Sequence, residues 1–280
     1  MPIPLKEGTH IHVERKAFTP GYAMPSMEMA TDHYNIGYVI SGERSLITPH
    51  GTYNYGKGMA ACSPPFVYGR TVAGSQDIYE RILIKFSPEF IEPFIKEVGQ
   101  PIFDGMYEKK RVFRFSEEGR ARIEKMFLDM VEEFEKDSPH KEFILQGMLF
   151  RLLLAVWEEQ LPEEGAQLHK SPVSPTIVDV LSFIENEYYR NPSLEEAAQV
   201  ANFSPAYFSR IFHAQVGKSY SEYLNNVKLK AVQVLLTRTD KSIMEIAQEV
   251  GYCHGNYLNE QFKKKVGMTP GKYRRNYRES

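Results

Sequence analysis

The sequence predicts a multidomain α+β protein, with short strands and following helices in an N-terminal domain and helices alone in a C-terminal domain. Three observations lead to this prediction. With 280 residues, the chain is long enough for two domains of ordinary size. Residues 1–90 alternate short runs of β-branched and aromatic residues with turn signals. The part after residue 174 has helical periodicity and contains an internal repeat.

Composition excludes several classes of protein. Hydrophobic residues make up 42% of the chain and charged residues 25%, which is typical of a soluble globular protein and not of a disordered or collagen-like one. The two cysteines are Cys62 and Cys253, and the N-terminus has no apolar run typical of a signal sequence. No segment approaches the roughly 20 consecutive apolar residues of a membrane span. We therefore expect a reduced, cytoplasmic protein without a membrane partner.

The first 90 residues read as strands. The runs "IGYVIS", "RSLIT", "GTYNY" and "RILIKF" are rich in residues that favour strands, and "SGE", "PHG", "YGKG" and "SPPF" interrupt them. Many short strands at nearly regular spacing predict a small sandwich or barrel.

Two helices are predicted within residues 117–161. In the first, Ile123, Phe127, Met130 and Phe134 fall on one amphipathic stripe. The second, "KEFILQGMLFRLLLAVWEEQL", is apolar over more than half of its circumference. Either this wide apolar face packs on the strands and the neighbouring helix, or a second copy of the chain covers it. The second reading predicts a homodimer through residues 117–161.

A linker is predicted at residues 162–174, since "LPEEGAQLHKSPVSP" is rich in proline and lacks periodicity. Residues 1–161 then form the first domain and residues 175–280 the second. Net charge differs between the two sides: +3 from residue 171 onward and −5 before it. A basic C-terminal part on an acidic N-terminal part is typical of a module that binds a polyanion.

The C-terminal part contains two copies of one unit. "SLEEAAQVANF" at residues 193–203 matches "SIMEIAQEVGY" at residues 242–252, and "FHAQVGKSYSEYLNN" matches "FKKKVGMTPGKYRRN" after one inserted residue. Each copy reads as a short helix, a turn and a second helix. Ser204 and Pro205 predict the start of the second helix in the first copy. Only two copies occur, fewer than a solenoid needs to bury its core.

Each second helix has an outward polar face opposite an inward aromatic or apolar pair. Phe208 and Phe212 point inward in the first copy, and Leu258 and Phe262 do so in the second. The outward residues are Ala206, Ser209, Arg210 and His213 in the first copy, and Asn256, Asn259, Glu260 and Lys263 in the second. Side chains of these types read base edges in a major groove. The alternative is an ordinary solvated face of a helical repeat that binds another protein.

The segment between the copies also has helical spacing, over residues 220–236. At 1.5 Å per residue it spans on the order of 25 Å. Such a connector can place two reading helices about one DNA turn, roughly 34 Å, apart. One monomer is then expected to occupy two successive major grooves.

At these residues the sequence resembles the AraC/XylS family of bacterial transcription regulators, over about residues 178–275. The resemblance lies in "SPAYFSRIFHAQVGKSYSEYL", "LKAVQVLLTRTDKSIMEIAQEVGY" and "NYLNEQFKKKVGMTPGKYRR". It implies an all-α DNA-binding domain with two helix-turn-helix motifs. The base-facing positions that it implies are Ala206, Ser209 and Arg210 in the first motif and Gly255, Asn256, Asn259 and Glu260 in the second.

The resemblance implies that the basic residues near the C-terminus contact DNA. Lys263 and Lys264 are expected beside the groove, with Lys272, Arg274 and Arg275 reaching phosphates. Glu260 departs from the basic or small residue of many members. A carboxylate there either accepts from a cytosine amino group or is repelled by phosphate, so the second motif is expected to contribute less affinity.

Residues 1–90 resemble the cupin-type sensor domain of the same family, which implies a cupin-like β-barrel. The ligand-lining candidates are Tyr34, Tyr38, Tyr68, Glu80 and Arg81, because polar aromatics with a charge pair suit a small polar molecule. Tyr68 stands near the place where a catalytic cupin has histidine. His10 and His12 have a metal-like spacing, but no glutamate and third histidine follow at cupin distance, so neither a metal nor another cofactor is expected.

Three functions remain open on the sequence alone. The first is a ligand-responsive, sequence-specific DNA-binding regulator of a bacterial metabolic operon. Its partners are double-stranded DNA, a small-molecule effector for which a sugar is a candidate, a second copy of the chain and, as a further candidate, RNA polymerase. The second function is a cupin-like small-molecule enzyme with a helical appendage, which the missing metal set disfavours. The third is a protein-interaction module built on the helical repeat.

Overall fold

The computed structural model describes residue 5 and residues 9–30, 33–74, 77–109, 111–162, 175–253 and 255–278. The chain divides into two compact units, Met1–Val173 and Ser174–Ser280. Residues 163–174 of the predicted linker lie outside the described residues. The predicted domain bounds therefore stay a prediction, and each unit is described by itself.

The described strands of the first unit form two antiparallel sheets. The strands are β1 (Ile11–Phe18), β2 (Glu28–Met29), β3 (Tyr34–Ser41), β4 (Glu43–Thr48), β5 (Gly51–Gly56), β6 (Ala60–Ser63), β7 (Tyr68–Ala73), β8 (Tyr79–Phe86) and β9 (Val112–Phe113). The first sheet has the order β1-β8-β3-β6-β9 and the second the order β2-β7-β4-β5. No hydrogen-bonded ladder joins the two sheets among the described strands, so the predicted cupin-like closed barrel is not confirmed.

Helices cover one face of the first sheet. They are α1 (Pro88–Val98), α2 (Gln100–Asp104), α3 (Glu117–Glu135) and α4 (Lys141–Glu158), with a π-helical turn at Gly105–Lys109. Ile82 and Ile84 of β8 enter one core with Ile123 and Phe127 of α3 and Leu149 of α4. The same core extends across α1, which begins after Ser87, whose side chain accepts from the backbone N–H of Phe90.

Most of the wide apolar face of α4 is covered within one chain. Leu145, Leu149, Leu152, Leu153 and Val156 are fully buried in this core. At the N-terminal end of the same helix, Phe143 is 79% exposed and Ile144 is 39% exposed. The sheet and α3 thus cover this face along most of its length, and Phe143 and Ile144 are the two large apolar side chains of α4 that are exposed.

The described part of the second unit is helical, as predicted. Its helices are α5 (Pro175–Glu187), α6 (Leu194–Val200), α7 (Pro205–Val216), α8 (Tyr220–Arg238), α9 (Ile243–Glu249), α10 (Gly255–Val266) and α11 (Pro270–Arg278), with a 3₁₀ turn at Tyr188–Arg190. Helices α6 and α7 form the first helix-turn-helix motif, and α9 and α10 form the second. The mixed α+β architecture with a C-terminal helical domain is therefore confirmed.

The sequence repeat is also a repeat of hydrogen bonds. Ser193 and Glu196 form a reciprocal capping box at the start of α6, and Ser242 and Glu245 form the same box at the start of α9. In each box the serine N–H donates to the glutamate carboxylate at 2.7 Å, and the glutamate N–H donates to the serine Oγ at 3.2 Å. The two motifs therefore begin in the same way.

The two copies end alike as well. Gly217 and Gly267 terminate α7 and α10 with φ of 76° and 85°, where a side chain would be strained. The ring of Tyr223 packs edge-on against Phe212 at 5.7 Å, and Tyr273 packs in the same way against Phe262 at 5.4 Å. The inward side chains predicted from the periodicity are thus buried in both motifs.

Helix α8 connects the two motifs. Its 19 residues span about 28 Å. Tyr223 and Val227 near its beginning are buried, and Leu229, Val232 and Leu236 near its end belong to the core of the second motif. Among the described residues, no helix of either unit is long and apolar enough to cross a membrane.

Candidate nucleic-acid interface and an internal cavity

Helix α7 presents its predicted reading residues to solvent. Ala206, Ser209, Arg210 and His213 are all exposed, whereas Phe208 and Phe212 of the same helix are fully buried. The helix begins at Pro205, as predicted, but the side chain of Ser204 makes no capping hydrogen bond. The start of α7 therefore depends on the fixed φ of Pro205 and on packing rather than on a serine cap.

The side chain of Arg210 is partly oriented before any ligand arrives. Its guanidinium lies 5.3 Å from the centroid of the Tyr207 ring, one turn earlier on the helix. No ion pair among the described residues involves Arg210. An arginine held on a solvent-facing helix, with its charge unpaired, can donate two parallel hydrogen bonds to a guanine or contact a phosphate.

Helix α10 presents a comparable face with different chemistry. Asn256, Glu260, Lys263 and Lys264 are exposed, and Gly255 and Asn259 are half-buried. Lys263, Lys264 and Lys265 lie in the last turn, where cations also interact favourably with the helix dipole. The structure thus places all nine predicted DNA-contacting residues on the two second helices, and their contacts with DNA remain predictions.

One predicted phosphate-binding residue has a different role. Arg274 donates from Nε to the carbonyl of Leu236 at 3.3 Å and from Nη2 to the carbonyl of Lys241. It therefore satisfies one carbonyl group in the last turn of α8, where a helix leaves carbonyls without intrahelical partners, and one in the segment that joins α8 to α9. Lys272 and Arg275 on the same helix are exposed and stay candidates for phosphate contact.

A buried lysine that no sequence pattern indicates lies beneath the second motif. Lys228 of α8 is buried and donates to the side-chain oxygen of Asn191 at 2.6 Å and to the carbonyl of Gly251 at 2.8 Å. Its ammonium also lies 3.9 Å from the centroid of the Tyr252 ring. Burial lowers the pKa of Lys228 to about 8. These contacts fasten the turn between α9 and α10 to α8.

The turn itself requires glycine. Gly251 has φ of 77°, and a Cβ atom there would lie 2.2 Å from the carbonyl oxygen of Tyr189. In the first motif the equivalent residue is Asn202, which has φ of 55°. Asparagine tolerates this conformation better than most side chains. Tyr252 then donates from its hydroxyl to the side-chain oxygen of Asn225 at 2.9 Å, a second link to α8.

A cavity of about 330 Å³ lies in the first unit, lined by residues of both sheets. From the first sheet come Glu14 and Lys16 of β1, Gly37 and Val39 of β3, and Tyr79, Arg81 and Lys85 of β8. Arg44 and Leu46 of β4, Tyr55 of β5 and Thr71 of β7 line it from the second sheet. In β1, β3, β4, β7 and β8 the lining residues alternate along the strand, as the pleat of a strand requires.

Of the five predicted ligand-lining residues, the structure places Arg81 at this cavity. Tyr34 and Tyr38 face the helices instead: Tyr34 packs on Tyr107, and the Tyr38 hydroxyl donates to the Glu124 carboxylate at 2.8 Å. Tyr68 is buried but does not line the cavity, whose β7 members are Gly69 and Thr71.

Glu80 and Arg81, which the sequence predicts to line the site as a charge pair, lie on opposite faces of the first sheet. Consecutive strand residues point to opposite faces of a sheet, so the two side chains cannot line one site. Glu80 accepts from Arg15 at 2.8 Å on the other face of β1 and β8, and Arg81 donates to Glu14 at 2.9 Å on the cavity side. The histidines of the N-terminal strand also pack locally, with Nδ1 of His10 3.0 Å from Oγ of Ser87.

Comparison with known proteins assigns the C-terminal helices. Residues 197–276 match the family model of a helix-turn-helix domain. The Msm operon regulatory protein of Streptococcus mutans is 26% identical over 248 residues, which cover 87% of this chain and 84% of that protein. The melibiose operon regulatory protein of Escherichia coli is 30% identical over 132 residues, which cover 46% of this chain and 44% of that protein. Residues 197–276 therefore form an AraC-type helix-turn-helix domain.

Solved structures include a further relative of this helix-turn-helix domain. The C-terminal domain of AraT, a response regulator from Geobacillus stearothermophilus, is 33% identical and covers 38% of this chain and 88% of that one, with a TM-score of 0.36. The chain spans less than half the length of several curated relatives that it matches, 44% in the case of a Bacillus subtilis regulator and of the melibiose operon protein. The matched residues 197–276 include the whole of α7 to α10, whereas the cavity lies outside this region.

Proposed function

We propose that this protein is a ligand-responsive transcription regulator of the AraC/XylS family, which binds a specific DNA sequence through α7 and α10. The observation that carries the proposal is the pair of exposed polar faces on two equally built helix-turn-helix motifs. The capping boxes, terminal glycines and aromatic pairs of the two motifs match, so both faces are presented by the same scaffold. A duplicated scaffold with two solvent-facing stripes suits two successive major grooves.

Charge supports DNA as the partner. The lysines at the end of α10 are exposed together with Lys272 and Arg275 of α11, and such residues displace counterions from phosphates. Arg210 and the amide side chains of Asn256 and Asn259 supply the groups that read guanine and adenine edges. A surface built only for another protein has no need of this combination.

The remaining parts of the proposed function concern the first unit. The cavity is proposed to bind the small-molecule effector, for which a sugar is one candidate. The exposed end of α4 at Phe143 and Ile144 is proposed to pair with a second copy of the chain. The proposed target is a bacterial metabolic operon, as the operon names of the Msm and melibiose relatives suggest. RNA polymerase is the further partner that an activator of such an operon would contact.

Salt dependence of DNA binding tests this proposal. A binding sequence is first selected from a pool of random DNA duplexes. The association constant of the full chain for this duplex is then measured by fluorescence anisotropy at potassium chloride concentrations from 50 to 200 mM. The logarithm of the association constant should fall linearly with the logarithm of salt concentration, with a slope of about −0.9 for each phosphate contact. An affinity that does not change with salt, or no sequence enriched from the pool, would overturn the proposal.

A further inference from the structure

Arg44 of β4 is a buried cation that has no carboxylate partner among the described residues. It is 3% exposed and lines the cavity. Its Nη1 donates to the carbonyl of Tyr22, and its guanidinium lies 4.4 Å from the centroid of the Tyr79 ring. None of the ion pairs among the described residues involves Arg44. A buried charge costs free energy unless an opposite charge or strong hydrogen bonds compensate it.

Arg81 faces the same cavity from the opposite sheet. Its Nη2 donates to Glu14 at 2.9 Å, but its Nη1 is buried and has no hydrogen-bond acceptor. The guanidinium lies 5.3 Å from the centroid of the Phe18 ring, which Arg44 also approaches, at 5.9 Å. The two guanidinium groups therefore approach the same Phe18 ring from opposite sheets, and the Glu14 carboxylate pairs with Arg81.

The neighbouring phenols cannot supply the missing negative charge. Tyr55 and Tyr79 are hydrogen-bonded to each other beside the two arginines, and burial raises the pKa of both hydroxyls. They are therefore neutral near pH 7. The Lys and Arg residues of the lining are Lys16, Arg44, Arg81 and Lys85, and its carboxylates are Glu14 and Glu28. These four cations exceed the two carboxylates by two positive charges.

We infer that the effector carries a carboxylate or phosphate group, which binds between Arg44 and Arg81 inside the cavity. This inference rests on the proposed function, because it defines the chemical class of that same effector. Guanidinium groups bind such oxyanions with short, charge-assisted hydrogen bonds, often two at a time. The anion would accept from the unpaired Nη1 of Arg81, and the cavity of about 330 Å³ limits the ligand to a small molecule. A neutral sugar would leave Arg44 without an opposite charge and Nη1 of Arg81 without an acceptor, whereas a sugar acid or a sugar phosphate would supply both.

The test compares compounds of similar size that differ in charge. The melting temperature of the full chain is measured against increasing concentrations of glucose, gluconate and glucose 6-phosphate, and against inorganic phosphate, with ionic strength held constant by chloride. Inorganic phosphate and at least one anionic compound should raise the melting temperature with a saturable dependence, and glucose should not. If glucose 6-phosphate raises the melting temperature and gluconate does not, the effector carries a phosphate ester. If gluconate raises it and glucose 6-phosphate does not, the effector carries a carboxylate.

Variants locate the response. Arg44→Gln and Arg81→Gln should each weaken anion binding by about ten- to a hundredfold, the loss expected for a charged hydrogen-bonding partner. Arg15→Gln is the matched control, because it removes an arginine from the other face of the same strands. Arg210→Ala controls for anions that bind the DNA-binding helices. If Arg44→Gln fails to fold, Arg81→Gln and the charge-retaining Arg44→Lys still test whether anions bind at this site.

Three outcomes would overturn the inference. They are no saturable response to inorganic phosphate, a response to glucose equal to that of the anionic compounds, and an anion response that Arg210→Ala removes while Arg44→Gln and Arg81→Gln retain it. DNA binding of the same variants is measured in parallel by anisotropy. Loss of anion binding with DNA binding intact contradicts only the effector class, whereas absence of DNA binding in the unmodified chain contradicts the proposed function itself.

Discussion

Arg210 and Lys264 lie on exposed faces of equivalent helices, yet their surroundings predict different roles. Arg210 is held against Tyr207 on the outward stripe of α7, whereas Lys264 lies in the last turn of α10. Arg210→Ala should cost about 1 to 3 kcal/mol at a preferred DNA site, because a bidentate base contact is lost. Lys264→Ala should weaken all sequences alike and reduce the salt slope by about 1.

Anisotropy with a preferred and an unrelated DNA duplex separates these effects. The ratio of the two dissociation constants should fall in Arg210→Ala and stay unchanged in Lys264→Ala. An equal loss of selectivity in both variants would contradict this division between base reading and phosphate contact.

Lys228 predicts a pH dependence of stability. Its pKa is about 8 in the folded protein, below the value of about 10.4 expected in an unfolded chain. Between these values the unfolded state binds the proton that the folded state has released, so this group makes the folded state more stable as pH rises. The free energy of unfolding of the unmodified protein, relative to Lys228→Met, should therefore increase between pH 7.5 and 9.5.

Urea unfolding at three pH values measures this difference, and the variant corrects for the other groups that titrate. The contacts with Asn191, Gly251 and the Tyr252 ring oppose the effect of burial, because all of them favour an ammonium. If the difference in the free energy of unfolding between the two proteins decreases as pH rises, these contacts affect the pKa of Lys228 more than burial does.

At the scale of elements, the capping boxes predict equal effects in the two motifs. Ser193→Ala and Ser242→Ala should each reduce the free energy of unfolding by about 1 kcal/mol, since each removes the same hydrogen bond at 3.2 Å. Ser204→Ala is the matched control, because the side chain of Ser204 makes no capping bond at the start of α7. Chemical denaturation measures all three, and a loss in Ser204→Ala as large as in the others would contradict the prediction.

The helices and the strands were not equally predictable. Helical contacts join residues three or four positions apart, so they are visible in the sequence. Examples are the capping box of Ser193 and Glu196 and the buried pair of Phe208 and Phe212. The face to which Arg81 points is harder to infer. The first sheet is covered by helices on one side and faces the cavity on the other, so β8 has no plain alternation of buried and exposed residues.

Contacts between distant segments were not predictable either. Arg44 meets Tyr22 and Tyr79 only because the sheets face each other, and nothing in the local sequence around Arg44 indicates this arrangement. Lys228 was missed for the same reason: its partners, Asn191 and Gly251, lie 37 and 23 positions away. Arg274 was predicted to reach phosphate because a basic run is visible in sequence, whereas the carbonyls that it caps are not.

At the scale of the whole molecule, α4 predicts the oligomeric state. Phe143 is 79% exposed at the end of a helix whose other large apolar side chains are mostly buried. If a second chain covers this end, Phe143→Ser should convert a dimer of the full chain to a monomer without loss of folding. Leu153 is unsuitable for this test, because it is fully buried in the core of the first unit and its replacement would unfold the protein.

Sedimentation of the full chain at tens of micromolar measures this prediction. Ile78→Ser is the matched control, because Ile78 is 58% exposed and lies outside the helices of the first unit. A monomer for the unmodified chain, or a dimer that persists in Phe143→Ser, would contradict pairing through this end of α4.

The duplicated motifs share their caps, turns and buried rings, but their outward faces differ. Ser209 corresponds to Asn259, Arg210 to Glu260 and His213 to Lys263. Two reading faces that differ at these positions are not expected to prefer the same base triplets. A monomer bound through both would therefore have a left and a right end on DNA, so its binding site would have a polarity. Inverting that site in front of a gene would turn the protein around relative to the direction of transcription, even though every base that it contacts would be retained.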